Sequence, residues 1–282
     1  MNIGPSQSDH YEKNVNFLIG AGASSGLFPT LQLQMKNSEG GRETIETLAT
    51  ALKAANRKEQ YTALFAHYYR SVIGKVLEAD YDTLALIDQA PDQYKRFLTC
   101  ILRMMERKRT GELKQCNIFT TNYDGCFEHA ADELLKDLPY NFCVNDGARG
   151  FKSRVLDARN FNQSVSEIGV FGRHKNEIPQ INLIHLHGSV YWYPQSGAEI
   201  IVDYWTNLSS RAVSSEVLEQ IEEFAEALRN TELTIAELPE VTFSAEQMSE
   251  FWDQYNGLPI VNPTKWKFHE TVFDEHYYQM LR

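Results

Sequence analysis

Four short runs rich in apolar residues lie along the chain, and each stops at glycine or at polar residues. They cover residues 15–19, 116–121, 141–145 and 181–186. Short apolar runs closed in this way are typical of strands buried on both faces of a parallel sheet. The pattern therefore predicts a strand at each of these four places.

Between the first two runs, the spacing of apolar residues changes to that of a helix. Apolar side chains recur on one helical face, for example at Leu64, Tyr68 and Val72. We expect Pro91 to separate two helices of this stretch. Because the helical pattern is too long for a simple crossover between strands, it predicts a helical subdomain inserted at about residues 43–110.

The same reasoning places the remaining elements. A helix is expected to begin near Ser24 or Ser25, since either serine could cap it. Further helices are predicted at residues 125–136, 215–230 (acidic and amphipathic) and 264–282. The polar segment 147–180 is expected to be a hairpin or a mobile loop.

Strands that alternate with helices indicate an α/β fold with a Rossmann-like, doubly wound parallel sheet. We expect residues 1–282 to form one domain that carries the helical insert of about 43–110. The sequence shows no internal repeat and no low-complexity segment.

Composition narrows the classes of function. The 38 acidic and 27 basic residues give a net charge of −11, which argues against direct binding to nucleic-acid phosphates. The four cysteines form no C-x-x-C pair, so neither a zinc site nor a disulfide framework is expected. With no signal peptide and no apolar run long enough to span a bilayer, a cytoplasmic protein without membrane contact is expected.

Three of the predicted strands end in residues that could bind a ligand or take part in catalysis. The first of these strand ends is Gly20-Ala21-Gly22-Ala23-Ser24. Glycine lets backbone N–H groups approach a phosphate closely. The spacing of Gly20, Gly22 and Gly26 is one residue longer than the dinucleotide fingerprint G-x-G-x-x-G. A phosphate cradle and a plain strand-to-helix turn therefore both remain open.

The second end is Thr120-Thr121-Asn122-Tyr123-Asp124, with side chains that suit a sugar hydroxyl or an amide. Alternatively, Asn122 and Asp124 build the turn and cap the next helix.

The third end is His185-Leu186-His187-Gly188-Ser189, where two histidines share one face of a strand. They could ligate a metal, although no third ligand is near in sequence; His187 could be a general base; or both could be structural.

Together the three segments resemble the sirtuin (silent-information-regulator) family. That family carries a Gly-Ala-Gly-x-Ser turn, a Thr-x-Asn-x-Asp strand end and a His-Gly. The resemblance covers residues 15–35, 116–130 and 181–193. Thr-Thr-Asn-Tyr-Asp and Leu-His-Gly-Ser are closer to the prokaryotic antiphage-defence branch than to the protein deacylases.

The resemblance implies an NAD+ site. Gly20, Ala21, Gly22, Ala23 and Ser24 would contact the pyrophosphate. Asn122 would hold the nicotinamide-side ribose and its water, with Thr121, Asp124 and Gly188 also binding NAD+, Asp124 near the carboxamide. His187 would be the general base, so the catalytic pair is Asn122 and His187. His185 matches no functional position of the motif and is expected to be structural.

The departures from the family are equally informative. The zinc-binding cysteine pairs are absent, so no zinc and no zinc module are expected. Residues 27–31 lack the aspartate and arginine of the deacylase stretch. This favours hydrolysis of NAD+ to nicotinamide and ADP-ribose; the alternatives are an NAD or ADP-ribose sensor without catalysis, and a protein deacylase.

No later Gly-x-Ser strand end of the family occurs before Arg282, so the chain is expected to be a fragment or to need a partner. The resemblance implies a regulated effector of antiphage defence. It would act as a large homo-oligomer or with a hexameric DNA-translocating ATPase.

Overall fold

A computed structural model gives the fold. It describes residues 15–37, 40–87, 90–136, 141–170, 172, 175–195, 199–205, 208, 212–258, 260 and 262–263. These form two compact units. The first unit comprises the described part of Met1–Leu27 with Asp80–Asp203, and the second comprises Phe28–Ala79 with the described part of Tyr204–Asp274. Across the described helices, none is long and apolar enough to cross a bilayer.

Twelve strands and eight α-helices are described. The strands are β1 (Asn16–Ile19), β2 (Gln32–Lys36), β3 (Arg42–Thr44), β4 (Gln115–Thr120), β5 (Cys143–Asn145), β6 (Ala148–Arg149), β7 (Val155–Leu156), β8 (Ser166–Ile168), β9 (Lys175–Glu177), β10 (Gln180–His185), β11 (Trp192–Pro194) and β12 (Ile200–Val202). The helices are α1 (Ile45–Ala54), α2 (Lys58–Tyr68), α3 (Gly74–Leu77), α4 (Tyr81–Ile87), α5 (Ala90–Glu106), α6 (Cys126–Lys136), α7 (Glu222–Ala227) and α8 (Ala245–Asn256).

The first unit is built on a parallel sheet of order β1-β4-β10-β5. All six residues of β10 are buried, as its apolar pattern predicts. On α5 and α6, Tyr94 and Phe127 meet edge to face, with ring centroids 4.6 Å apart. The prediction of an α/β fold with a parallel sheet is confirmed, as are the positions of the four predicted strands and the helix after Asp124. The expected burial on both faces is wrong for β1, where exposed and half-buried residues alternate.

An antiparallel sheet of order β11-β12-β7-β6 and the hairpin β8-β9 complete the described strands of the first unit. The hairpin pairs Ser166 with Glu177 and Ile168 with Lys175. Segment 147–180 thus contains the hairpin that was one of its two predicted forms.

The second unit is mainly helical, with one hairpin, β2-β3. An aromatic cluster forms much of its core: Phe65 contacts Trp252 and Tyr255, with ring centroids 5.3 and 5.7 Å apart. The predicted insert at 43–110 is largely helical, but α1–α3 lie in the second unit and α4–α5 in the first.

Two expectations for the helices are corrected. No α-helix begins near Ser24 or Ser25; a 3-10 helix, Ala21–Ser24, ends there and strand β2 follows. Pro29 explains this, because it has no N–H group and disfavours helical geometry in the residue before it. The expected separation of two helices at Pro91 is confirmed: α4 ends at Ile87 and α5 begins at Ala90, with Pro91 in the first turn of α5, where proline is tolerated.

The acidic helix predicted at 215–230 is shorter. It forms a 3-10 turn, Glu216–Leu218, and then α7, because Ile221 between them departs from helical geometry (φ −98°, ψ 12°). The helix predicted at 264–282 lies outside the described residues.

A row of asparagines crosses the parallel sheet at one level. The strand register aligns Asn16, Asn117, Asn182 and Asn145. Each amide donates to the next: Asn117 to Asn16 at 2.8 Å, Asn182 to Asn117 at 2.7 Å, and Asn145 to Asn182 at 3.0 Å. Since a register shift would leave the buried amide of Asn182 without these partners, the row holds the four strands in one alignment.

We expect Asn182→Ala to lower the free energy of unfolding by ~2–4 kcal/mol, because its two neighbours would lose buried hydrogen-bond partners. Urea denaturation followed by circular dichroism measures this. Asn16→Ala is the matched control at the exposed end of the row and should cost well under half as much. Equal losses in the two variants would contradict a register role for the buried amides.

Candidate functional site at the strand ends

The sheet register brings the three predicted strand ends to one level. Ile19, Thr120 and His185 are partners across β1, β4 and β10. Beyond them, the Thr121 N–H donates to Ile19 O at 3.0 Å, and the Leu186 N–H donates to Thr120 O at 2.8 Å. The glycine turn, the Asn122 turn and the His187 turn are therefore side by side at the carboxyl edge of the sheet, where ligands bind in open α/β folds.

The glycine turn presents backbone outward and its serine inward. Ala21, Gly22 and Ala23 are exposed, whereas Ser24 is 2% exposed. A Cβ atom placed on Gly22 would have no neighbour within 4 Å. The packing of the chain does not require glycine there, so the open space above it is available to a ligand.

The Ser24 hydroxyl organises the centre of the site. It lies 2.6 Å from the Tyr94 hydroxyl, donates to Asp124 Oδ2 at 2.8 Å and accepts from Asn122 Nδ2 at 3.1 Å. A hydroxyl has one donor and two acceptor positions, so Tyr94 must donate and the capacity of Ser24 is filled. The side chain of Ser24 thus orients Asn122 and Asp124 rather than facing solvent.

Asn122 is 6% exposed, and its backbone N–H donates to Thr120 Oγ1 at 3.1 Å. Its Oδ1 atom is buried and has no hydrogen-bond partner among the described residues. Leaving a buried amide oxygen unpaired costs about 1–3 kcal/mol. Ser24 therefore holds an amide whose buried oxygen keeps its capacity to accept a hydrogen bond.

Asp124 is turned toward the protein. Its Oδ1 accepts from the Cys126 N–H at 3.1 Å, and its Oδ2 accepts from Ser24. The Gly125 N–H that follows donates to the Tyr81 hydroxyl at 2.6 Å. A Cβ on Gly125 would overlap the Tyr191 ring, so glycine is required here. These contacts fix the start of α6 beside Asn122.

His187 lies in the turn that follows β10 and is partly exposed. Gly188 has a φ of +89°, a left-handed conformation that favours glycine, and it redirects the chain. The Val190 N–H donates to Tyr123 O at 3.2 Å, which ties this turn to the Asn122 turn. Thr121 is half-buried and faces Gly20, since a Cβ there would lie 3.6 Å from Thr121 Oγ1.

His185 makes a buried connection that its sequence position does not reveal. Its Nδ1 lies 3.1 Å from Asn122 O, and its Nε2 lies 2.8 Å from Glu128 Oε1. Burial alone would lower the pKa of His185, but the Glu128 carboxylate and these hydrogen bonds raise it above the ordinary value. The His185 ring therefore bridges α6 and the backbone of Asn122.

Three contributors to this centre escape sequence reasoning: Tyr94, Glu128 and the bridging role of His185. Tyr94 and Glu128 lie on helices, and no motif around them in the sequence indicates a role at the site. Only the folded chain brings Tyr94 to Ser24, 70 residues away, and Glu128 to His185, 57 residues away.

The described residues contain no group of three or more His, Cys, Asp or Glu side chains that could hold a metal ion. Burial raises the pKa of the Cys116 thiol to about 12, and it also raises that of Cys126. Both thiols are therefore poor nucleophiles and poor ligands at neutral pH.

Comparison with known proteins adds no relative: no family model matches the chain, and no curated protein matches it.

We expect Glu128→Gln to lower the pKa of His185, because the neutral amide cannot stabilise the imidazolium. A raised folded-state pKa stabilises the protein below the unfolded value of about 6.5, and this stabilisation is lost as pH rises through the folded value. The wild-type advantage in free energy of unfolding should therefore be largest on the acidic side and shrink with rising pH.

Urea denaturation at pH values below and above the pKa of His185 measures the free energy of unfolding, and NMR of the His185 ring nitrogens measures the pKa. Glu133→Gln is the matched control on the same helix, where the carboxylate is paired only with exposed Lys136. A wild-type advantage that does not change with pH would show that His185 is neutral.

Proposed function

We propose that the chain is a sirtuin-like NAD+ glycohydrolase that cleaves NAD+ to nicotinamide and ADP-ribose at the carboxyl edge of the sheet. The observation that carries the proposal is the buried, unpaired Oδ1 of Asn122, held between the glycine turn and the His187 turn. An amide oxygen in this position suits a ribose hydroxyl or a water molecule.

The residues present fit the two halves of such a substrate. The open space above Gly22 leaves room for a pyrophosphate beside exposed backbone. Asn122 would accept a hydrogen bond from the nicotinamide-side ribose, and that bond would satisfy its buried oxygen. Asp124 would act through Ser24 on the orientation of Asn122, while Thr121 and Gly188 line the neighbouring turns.

Hydrolysis of NAD+ requires that the ribose be held in a fixed orientation and that a base accept the proton of the attacking water. Water adds to C1′ of the ribose, the C1′–N1 bond breaks, and its electron pair leaves with neutral nicotinamide. The water proton passes to His187, directly or through a ribose hydroxyl. Because the ribose becomes oxocarbenium-like, a fixed amide and a nearby base supply the main requirements.

The biological setting follows only from the sequence resemblance and is part of the proposal. We infer a regulated effector of bacterial antiphage defence that acts in the cytoplasm. It would work as a large homo-oligomer or with a hexameric DNA-translocating ATPase, and without zinc. The net charge of −11 fits a protein that leaves nucleic-acid contact to such a partner.

The proposed reaction predicts nicotinamide release from NAD+ that depends on both catalytic residues. Asn122→Ala and His187→Ala should each lower kcat by about 10²–10⁴-fold. Chromatographic quantification of nicotinamide over a series of protein concentrations measures this, with exposed Asn162→Ala as the control. Equal turnover in all four proteins would refute the assignment, and calorimetric NAD+ binding without product would favour a sensor.

Stability separates a functional role of Asn122 from a structural one. Asn122→Ala loses the amide hydrogen bonds to Ser24 and Tyr94 but also removes an unpaired buried oxygen, so its melting temperature should fall only slightly. Ser24→Ala strips a partner from three polar groups and should be clearly less stable. The reverse order would mark Asn122 as structural.

Gly22→Ala tests the pyrophosphate position. Since the added methyl group meets no protein atom within 4 Å, we expect an unchanged melting temperature. The KM for NAD+ should rise by about tenfold, equivalent to ~1.4 kcal/mol, because the methyl group occupies space that the substrate needs. An unchanged KM would place the pyrophosphate elsewhere.

A further inference from the structure

A groove on the second unit lies outside the proposed NAD+ site. It has a volume of about 500 Å³ and lies between the end of α1, the start of α2 and α8. Small-molecule sites commonly measure about 300–1,000 Å³. The groove is lined by Leu52, Lys53, Asn56, Arg57, Lys58, Tyr61, Thr62, Met248 and Trp252.

Three cationic side chains lie around the largely apolar surface of the groove, in a strongly acidic protein. Lys53, Arg57 and Lys58 contribute three cations, and no acidic residue is among the lining side chains. The chain as a whole carries a net charge of −11. A concentration of one sign of charge around a concave, apolar surface attracts a ligand of the opposite sign.

The tight turn between α1 and α2 forms the rim of the groove. Asn56 adopts a left-handed conformation (φ 55°), and the Arg57 N–H returns to Leu52 O at 3.0 Å. Lys53 and Lys58 are thereby brought to the same groove from two helices. Arg57 is fixed at the rim, since its Nη1 donates to Ile235 O at 3.1 Å.

The wall of the groove is aromatic. Trp252 is half-buried and lies nearly parallel to Tyr61, with ring centroids 5.9 Å apart. The Trp252 indole N–H donates to Thr62 Oγ1 at 3.1 Å, so the ring is held in place. An ordered aromatic wall beside cationic side chains suits a ligand that has a planar ring and a separate anionic group.

We propose that this groove binds a mononucleotide-sized ligand, with its base against Trp252 and its phosphate between Lys53 and Lys58. The volume, the charge and the aromatic wall each match one part of such a ligand. The site is independent of NAD+ cleavage at the sheet edge of the first unit, and neither proposal needs the other.

The test uses the full chain labelled with 5-fluorotryptophan, in which Trp252→Phe assigns the Trp252 fluorine signal. AMP should shift that signal saturably, whereas adenosine and inorganic phosphate should bind at least ~10-fold more weakly. Lys53→Glu and Lys58→Glu should each weaken AMP binding ~10-fold, and added salt should weaken it further. Lys75→Glu, an exposed control outside the groove, makes the same charge change and should leave binding unaltered.

Three results would overturn the proposal. The first is an unshifted Trp252 signal at millimolar AMP. The second is equal binding of adenosine and AMP, which would remove the role of the cations. The third is a shift produced by an acidic peptide but not by AMP, which would make the groove a protein-docking surface. Asn122→Ala should bind AMP here normally, so failure at the NAD+ site is distinguishable from failure at this groove.

Discussion

The alignment of four parallel strands by a row of hydrogen-bonded asparagine amides, centred on buried Asn182, is the constraint on which the candidate site depends. Side-chain burial alone fixes which face of a strand is inside, but it tolerates shifts along the strand by two residues. The hydrogen bonds among Asn117, Asn182 and Asn145 do not tolerate such shifts. Because the alignment is set there, β1, β4 and β10 end at one level, and their three polar turns meet.

At the carboxyl edge of the sheet, some buried polar atoms have all their hydrogen bonds and others have none. The hydroxyl of Ser24 uses its full capacity, whereas Asn122 Oδ1 and Glu128 Oε2 are buried without partners among the described residues. Most buried polar atoms are paired, and exceptions concentrate at functional sites. Two acceptors with unused hydrogen-bonding capacity therefore lie next to well-ordered neighbours, and the proposed function uses the one on Asn122.

The sequence predicts the strands well because their signal is local: apolar runs such as 181–186 fix both type and position. It also locates the three strand ends, since polar residues directly follow those runs. It misplaces the helix at Ser24, where Pro29 outweighs the capping signal. It cannot reveal the contacts of Tyr94 or Glu128, because these link residues far apart in sequence, and only the packing of α5 and α6 on the sheet brings them together.

The two histidines of β10 and its turn illustrate how context divides equivalent residues. Two histidines at this spacing could together ligate a metal, yet both ring nitrogens of His185 are engaged, one by the Asn122 carbonyl and one by Glu128. A ring held in this way can neither ligate a metal nor accept a proton from a substrate. His185 therefore positions Asn122 through the backbone carbonyl of Asn122. His187, by contrast, lies in a partly exposed turn, and for this reason the proposed reaction assigns the role of base to His187.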